Sequence, residues 1–234
     1  MPLGGSSNHF RTAVLREIGA WDPYNVTEDA DLGTRLARCG YHTAIIESTT
    51  YEEAPARCGP WLKQRTRWFK GWMQTWLVHM RRPDHLMREL RPVGFAVFQL
   101  IVGGTVLAAL VHPVFAIALA WQLTVGLPVV GQDQHAGAIL MGIHGATLVV
   151  GYLASGILGF VGLARRHLLA SAWVLLLIPV HWMLLSLAAW RALLHLLIFP
   201  YRWEKTEHGL ARTSRMASHG RFAGPRANWR PKRP

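Results

Sequence analysis

The sequence predicts a short α/β piece, then an amphipathic helix lying in a membrane interface, then an all-α transmembrane bundle of about four helices. Three observations lead there. An acidic helix signal followed by a β-rich run occupies the first 56 residues. A helix at 57–92 interleaves tryptophan with lysine and arginine. A middle stretch, 93–200, carries only Asp133, Arg165, Arg166 and Arg191 as charged residues. The chain has 234 residues, is 51% hydrophobic and only 16% charged, well under the usual share of about 25%.

The N-terminal elements follow from local chemistry. Gly4-Gly5-Ser6-Ser7-Asn8-His9-Phe10-Arg11 is a polar loop. Residues 12–19 read as a short helix, with Val14, Leu15 and Ile18 apolar and Gly19 as its stop. The turn residues 21–25 precede Thr27-Glu28-Asp29-Ala30-Asp31-Leu32, where Thr27 is expected to cap a helix through its hydroxyl. Glu28 and Asp29 suit the positive end of that helix's dipole. It is expected to run to Cys39 and stop at Gly40. Tyr41 to Glu47 reads as a strand and Thr49 to Pro55 as a loop. About fifty residues cannot bury enough core to stand alone, so further chain upstream or a partner is expected to pack on them. Met1 to Gly5 shows neither the basic nor the apolar region of a signal peptide.

Trp61, Trp68, Trp72 and Trp76 recur at helical spacing among Lys63, Arg65, Arg67 and Lys70. Indoles at headgroup depth with cations toward phosphates make this an interfacial helix in contact with membrane lipid. Four spans are expected after it: Val93–Val111, Val114–Val130, Ala136–Ala164 and Leu168–Ala189. His112-Pro113 would turn the first into the second, and Pro179 would kink the fourth. Gly142, Gly145, Gly151, Gly156, Gly159 and Gly162 would let the third pack closely. An even count puts both basic flanks on one face, so a multi-pass protein of the inner (plasma) membrane with cytoplasmic termini is expected. The basic tail 201–234 reads as disordered.

Composition also narrows function. A net charge of +12 raises nucleic acid, but the tail carries no nucleic-acid module and basic flanks answer to anionic lipid, so no nucleic-acid partner is expected. Cys39 and Cys58 fit neither a disulfide framework nor a metal site. His79 and His85 lack a third ligand at metal spacing, and His112, His135 and His144 read as satisfied polar groups. A transporter would want ionisable groups buried in the spans, which are nearly absent here.

Thr27-Glu28-Asp29 followed by Gln64-Arg65-Thr66-Arg67-Trp68 resembles the TED and Q(Q/R)xRW motifs of membrane-embedded family-2 glycosyltransferases, the cellulose-synthase-like processive enzymes. Their order, their spacing, the spans after them and Trp203-Glu204-Lys205-Thr206-Glu207-His208-Gly209 are all similar to that family. The resemblance implies that 1–56 is the C-terminal part of a GT-A-like catalytic domain. It implies an inverting hexosyl transfer from a UDP- or GDP-sugar donor to a growing β-linked polysaccharide acceptor. Asp29 would be the general base, with Glu28 beside it. Gln64, Arg65 and Arg67 would hold the pyrophosphate, and Trp68 would stack on the acceptor sugar. Mg²⁺ or Mn²⁺ would be the cofactor, with its ligands in an upstream half and no metal ligand in this chain; Asp29-Ala30-Asp31 spells D-x-D but sits at the TED position. The nucleotide-binding strands of the family are not in this sequence, so the chain alone is expected to be inactive. A non-catalytic pore partner of a synthase is the alternative.

Overall fold

A computed structural model describes residues 3–46, 50, 52, 54–125 and 134–200, apart from the side chains of 134–136. Over these residues the chain is helical, with no strand, and this overturns the α/β expectation for the N-terminal piece. Tyr41 to Ile46 has no strand hydrogen bonding, and Ile45 is 99% exposed. The β-rich side chains are there, but a strand is stable only when a neighbouring strand takes its backbone groups.

The remaining helices fall near where the sequence puts them, except that the helix expected over 57–92 ends at His79, restarts at Pro83 and is broken again at Arg91 (φ +59°). They are α1 (Thr12–Glu17), α2 (Glu28–Arg38), α3 (Cys58–His79), α4 (Pro83–Phe98), α5 (Gly104–Val125), α6 (Gln134–Arg165) and α7 (Ile178–Ile198). Gly19 and Gly40 adopt left-handed backbone (φ +79° and +80°) just past α1 and α2, the stop signal glycine supplies without strain. A π-turn, Gln99–Gly103, joins α4 to α5, and a 3₁₀ segment, Leu169–Leu177, precedes α7. Pro179 lies in the first turn of α7, where its missing N–H costs nothing, rather than kinking a helix from within. The tail and the polar loop around Asp133 lie outside the described residues, as does the Trp203–Gly209 motif.

Among the described residues three helical stretches are long and apolar enough to cross a membrane: Pro83–Val125, Gly137–Arg165 and Leu169–Ile198. The expected four become three because α5 runs straight through His112-Pro113. A hairpin there would leave several backbone groups unpaired in hydrocarbon, whereas a continuous helix loses only the bond proline cannot make. With an odd number the parity argument for both termini on one face lapses. His112 is satisfied as expected, with Nε2 2.8 Å from the Tyr152 hydroxyl. His144 is not: it stacks on Phe115 at 4.4 Å, and its buried Nδ1 has no hydrogen-bond partner. The α6 glycines also depart from expectation. A methyl group at Gly142, Gly145, Gly151 or Gly162 would meet nothing within 4 Å, and only Gly159 is closely approached, by Leu175.

Helix α3 has two working faces, and this places the site. One face, with Phe69 and Met73 buried, packs on Ala109 of α5 and on Ala188, Ala189 and Ala192 of α7. The alanines let the helices approach closely. Contacts run along α7: Trp61 edges onto His181 at 5.6 Å, Arg191 donates to buried Thr66 at 3.0 Å, and Lys70 donates to the Phe199 carbonyl at 2.9 Å. The other face, through Arg67, Trp68, Gly71 and Thr75, turns toward α2.

Candidate active site

Helix α2 starts where the sequence says, but not by the expected cap. Thr27 stands at the N-cap position without a capping bond from its side chain. Its hydroxyl instead lies 3.4 Å from Asn25 Oδ1, and its side chain packs on Gly71, where any Cβ would come within 2.8 Å of the Thr27 Cβ. The first-turn donor that needs a partner, Ala30 N–H, is taken at 2.8 Å by Asp29 Oδ1. The Asp29 carboxylate is therefore oriented by its own helix. Its second oxygen, Oδ2, lies beside Gly5, where a Cβ would be 3.1 Å away.

A cavity of about 570 Å³ opens over this carboxylate. Its walls include Glu28 and Asp29 from α2, Arg67, Trp68 and Trp72 from α3, Glu52, and the loop Leu3 to Ser6. A hydrogen bond of 2.8 Å from Thr50 to Ser7 ties the two loops together. Glu28 is exposed and Asp29 half-buried. Burial pushes the Asp29 pKa above the ordinary carboxylate value, and the neighbouring Glu28 charge adds to this, while the Ala30 N–H and the charge of Arg67 hold it back. A carboxyl poised upward in a cleft beside a cation is suited to accepting a proton.

Of the residues expected to bind substrate, the structure brings Arg67 and Trp68 to Asp29 and leaves Gln64 and Arg65 off the cavity wall. Arg65 lies over the indole of Trp68 at 4.1 Å and near that of Trp61 at 5.7 Å, so it braces Trp68 by cation–π contact. Trp72, read from the sequence as a membrane anchor, is part of the wall. Its position one turn after Trp68 on the same helix face was the signal for it. Glu52 also reaches the cavity from a loop that the sequence left without a role. Asp31, two residues past Asp29, faces away from the cavity. It is buried between Arg35 (2.7 Å) and His79 (3.0 Å). No group of three His, Cys, Asp or Glu that could hold a metal occurs among the described residues.

The described residues thus form an apolar helical bundle, with three stretches long and apolar enough to cross a membrane, that carries an acidic, arginine- and indole-lined cleft. The chain matches the glycosyl transferase family group 2 model over residues 1–203 and belongs to that family. It is 32% identical over 70 residues to a probable glycosyltransferase, YdaM, of Bacillus subtilis strain 168; the match takes in 30% of this chain and 17% of the relative's length. No solved structure matches it.

Proposed function

We propose that this chain carries the acceptor side of an inverting hexosyltransferase active site, using a UDP- or GDP-sugar to extend a β-linked polysaccharide at a membrane. The observation that carries the reading is the single cavity in which Asp29 and Glu28 face Arg67, Trp68 and Trp72. In the reaction the acceptor hydroxyl gives its proton to the Asp29 carboxylate as its oxygen attacks the anomeric carbon. The bond from that carbon to the diphosphate breaks on the opposite side, and the nucleoside diphosphate leaves with the electron pair. Arg67 stabilises the developing negative charge, and arginine suits this because its planar fork matches phosphate oxygens. Trp68 and Trp72 offer flat apolar faces to a sugar ring, and Arg65 holds Trp68 in place. The described residues do not fit a resident divalent cation, so no step is assigned to one. The three apolar helical stretches support a place in the membrane close to a growing product.

Transfer assays on membranes holding the full-length protein, with radiolabelled UDP- and GDP-hexoses, test this. Asp29→Asn is expected to lower transfer by about 10³-fold, with donor affinity kept within about twofold because the amide preserves shape and removes only the base. Transfer by Asp29→Asn at near the unmodified rate would overturn the assignment. A pore subunit without catalysis would make Asp29, Arg67 and Trp68 all replaceable.

A further inference from the structure

We propose that His79, at the far end of α3 from the cavity, is a positioning residue for Asp29, acting through a buried polar seam between α2 and α3; this rests on the reading of Asp29 as the base. The seam has three fixed points along one ridge of α3, four residues apart. At Gly71 the helix has no side chain, and Thr27 fills the space. At Thr75, wholly buried, the hydroxyl accepts from Asn25 Nδ2 at 2.9 Å. At His79, Nε2 donates to Asp31 Oδ1 at 3.0 Å. Asn25, Thr27 and Asp31 bracket Asp29 in sequence, so the height of Asp29 over Arg67 and Trp68 is set by these contacts.

The His79 link is the most committed of the three. Its side chain is 2% exposed and that of Asp31 5%. Arg38 Nη1 donates to His79 Nδ1 at 2.8 Å, which leaves the ring proton on Nε2, where Asp31 needs it. Arg38 Nε in turn donates to Glu89 Oε2 of α4 at 2.6 Å. Arg35 completes the set by donating to Asp31 Oδ2 and to the carbonyls of Ile18 and Ala20 after α1. A single chain of bonds, from Glu89 through Arg38 and His79 to Asp31, thus ties the helix bearing the base to both α3 and α4. None of these side chains lines the cavity. A buried charge with all its bonds made fixes geometry, and a displacement of about 1 Å at a reacting group can cost about 100-fold in rate.

The test uses the full-length protein in membranes. His79→Phe keeps the volume and removes both bonds. It is expected to lower kcat by about 100-fold, leave the donor KM within about twofold, and move the acid limb of the pH–rate profile to lower pH, because a loosened α2 lets water reach Asp29. His79→Gln, which can still donate to Asp31, is expected to recover about a tenth or more of the unmodified kcat. If His79→Phe does not accumulate as folded protein, Glu89→Gln at the half-exposed outer end of the chain decides. There kcat is expected to fall about threefold with the same shift of the acid limb. An unchanged kcat and acid limb in the folded His79→Phe protein, or in Glu89→Gln where that variant decides, would overturn the proposal. Activity surviving in Asp29→Asn would instead remove the base reading on which it rests.

Discussion

Helices α2 and α6 solve opposite problems. Six of the eleven residues of α2 are buried, and the polar ones among them, Asp31 and Thr34, have hydrogen-bond partners. Helix α6 is three times as long, yet Leu148 is its one buried core side chain among the described residues, and Ile157, Leu158 and Phe160 stand more than half exposed. In water such a helix would be an aggregation hazard, whereas in lipid an apolar surface needs no cover. The contrast teaches where precision is kept. The segment bearing the candidate base is buried and fixed by directional bonds along its length, while α6 is held at a few points, among them Tyr152 on His112 and His144 on Phe115, and leaves most of its apolar surface uncovered.

Substitutions that break this contrast should differ sharply in cost. Asp31→Ala removes a buried carboxylate and leaves His79 and Arg35 without it, so it should destabilise the α2–α3 contact by about 3 kcal/mol, read as faster hydrogen exchange in α2. Gly71→Ala drives a methyl group into Thr27 and should cost about 2 kcal/mol by the same measurement. Gly145→Ala in α6 meets nothing within 4 Å. It should cost nothing and gain at most about 1 kcal/mol from helix propensity, read as an unchanged or slightly raised Tm in detergent. A loss at Gly145 equal to that at Gly71 would erase the distinction between the two helices.

Acid sharpens the same comparison. Burial pushes the Asp31 pKa up, but the hydrogen bonds from His79 and Arg35 outweigh it, and the group lies below its ordinary value of 3.8. Its folded pKa is therefore lower than its unfolded one. The stability it contributes is fully present above the ordinary aspartate range and is lost as pH falls through the depressed value. Exchange in α2 should accelerate at such pH, while α6, which has no acid in its sequence, should not respond.

Much of this was legible in the sequence. Helix bounds were carried by Gly19, Gly40 and the Trp spacing of α3, all local signals. Asp29, Arg67 and Trp68, which the motifs single out, line one cavity. What could not be read was anything set by distant partners. Tyr41 to Ile46 looked like a strand because side-chain preference is local, but a strand needs a neighbour. His112-Pro113 looked like a turn because the bias against proline in helices comes from water, where freed backbone groups have somewhere to go. Thr27 looked like a cap, Gly71 like nothing in particular and His79 like a histidine without metal-ligand spacing, because the seam joins residues up to 50 apart in sequence.

The most direct test of the central claim is the pH dependence of kcat/KM for sugar transfer by the full-length protein, since that profile reports groups in the free enzyme. The base must be ionised to act, and burial raises the pKa of Asp29 above 3.8. The account predicts an acid limb centred above that value, lost in Asp29→Asn along with the activity. A limb at or below the ordinary aspartate value, or one that persists with activity after Asp29→Asn, would contradict it.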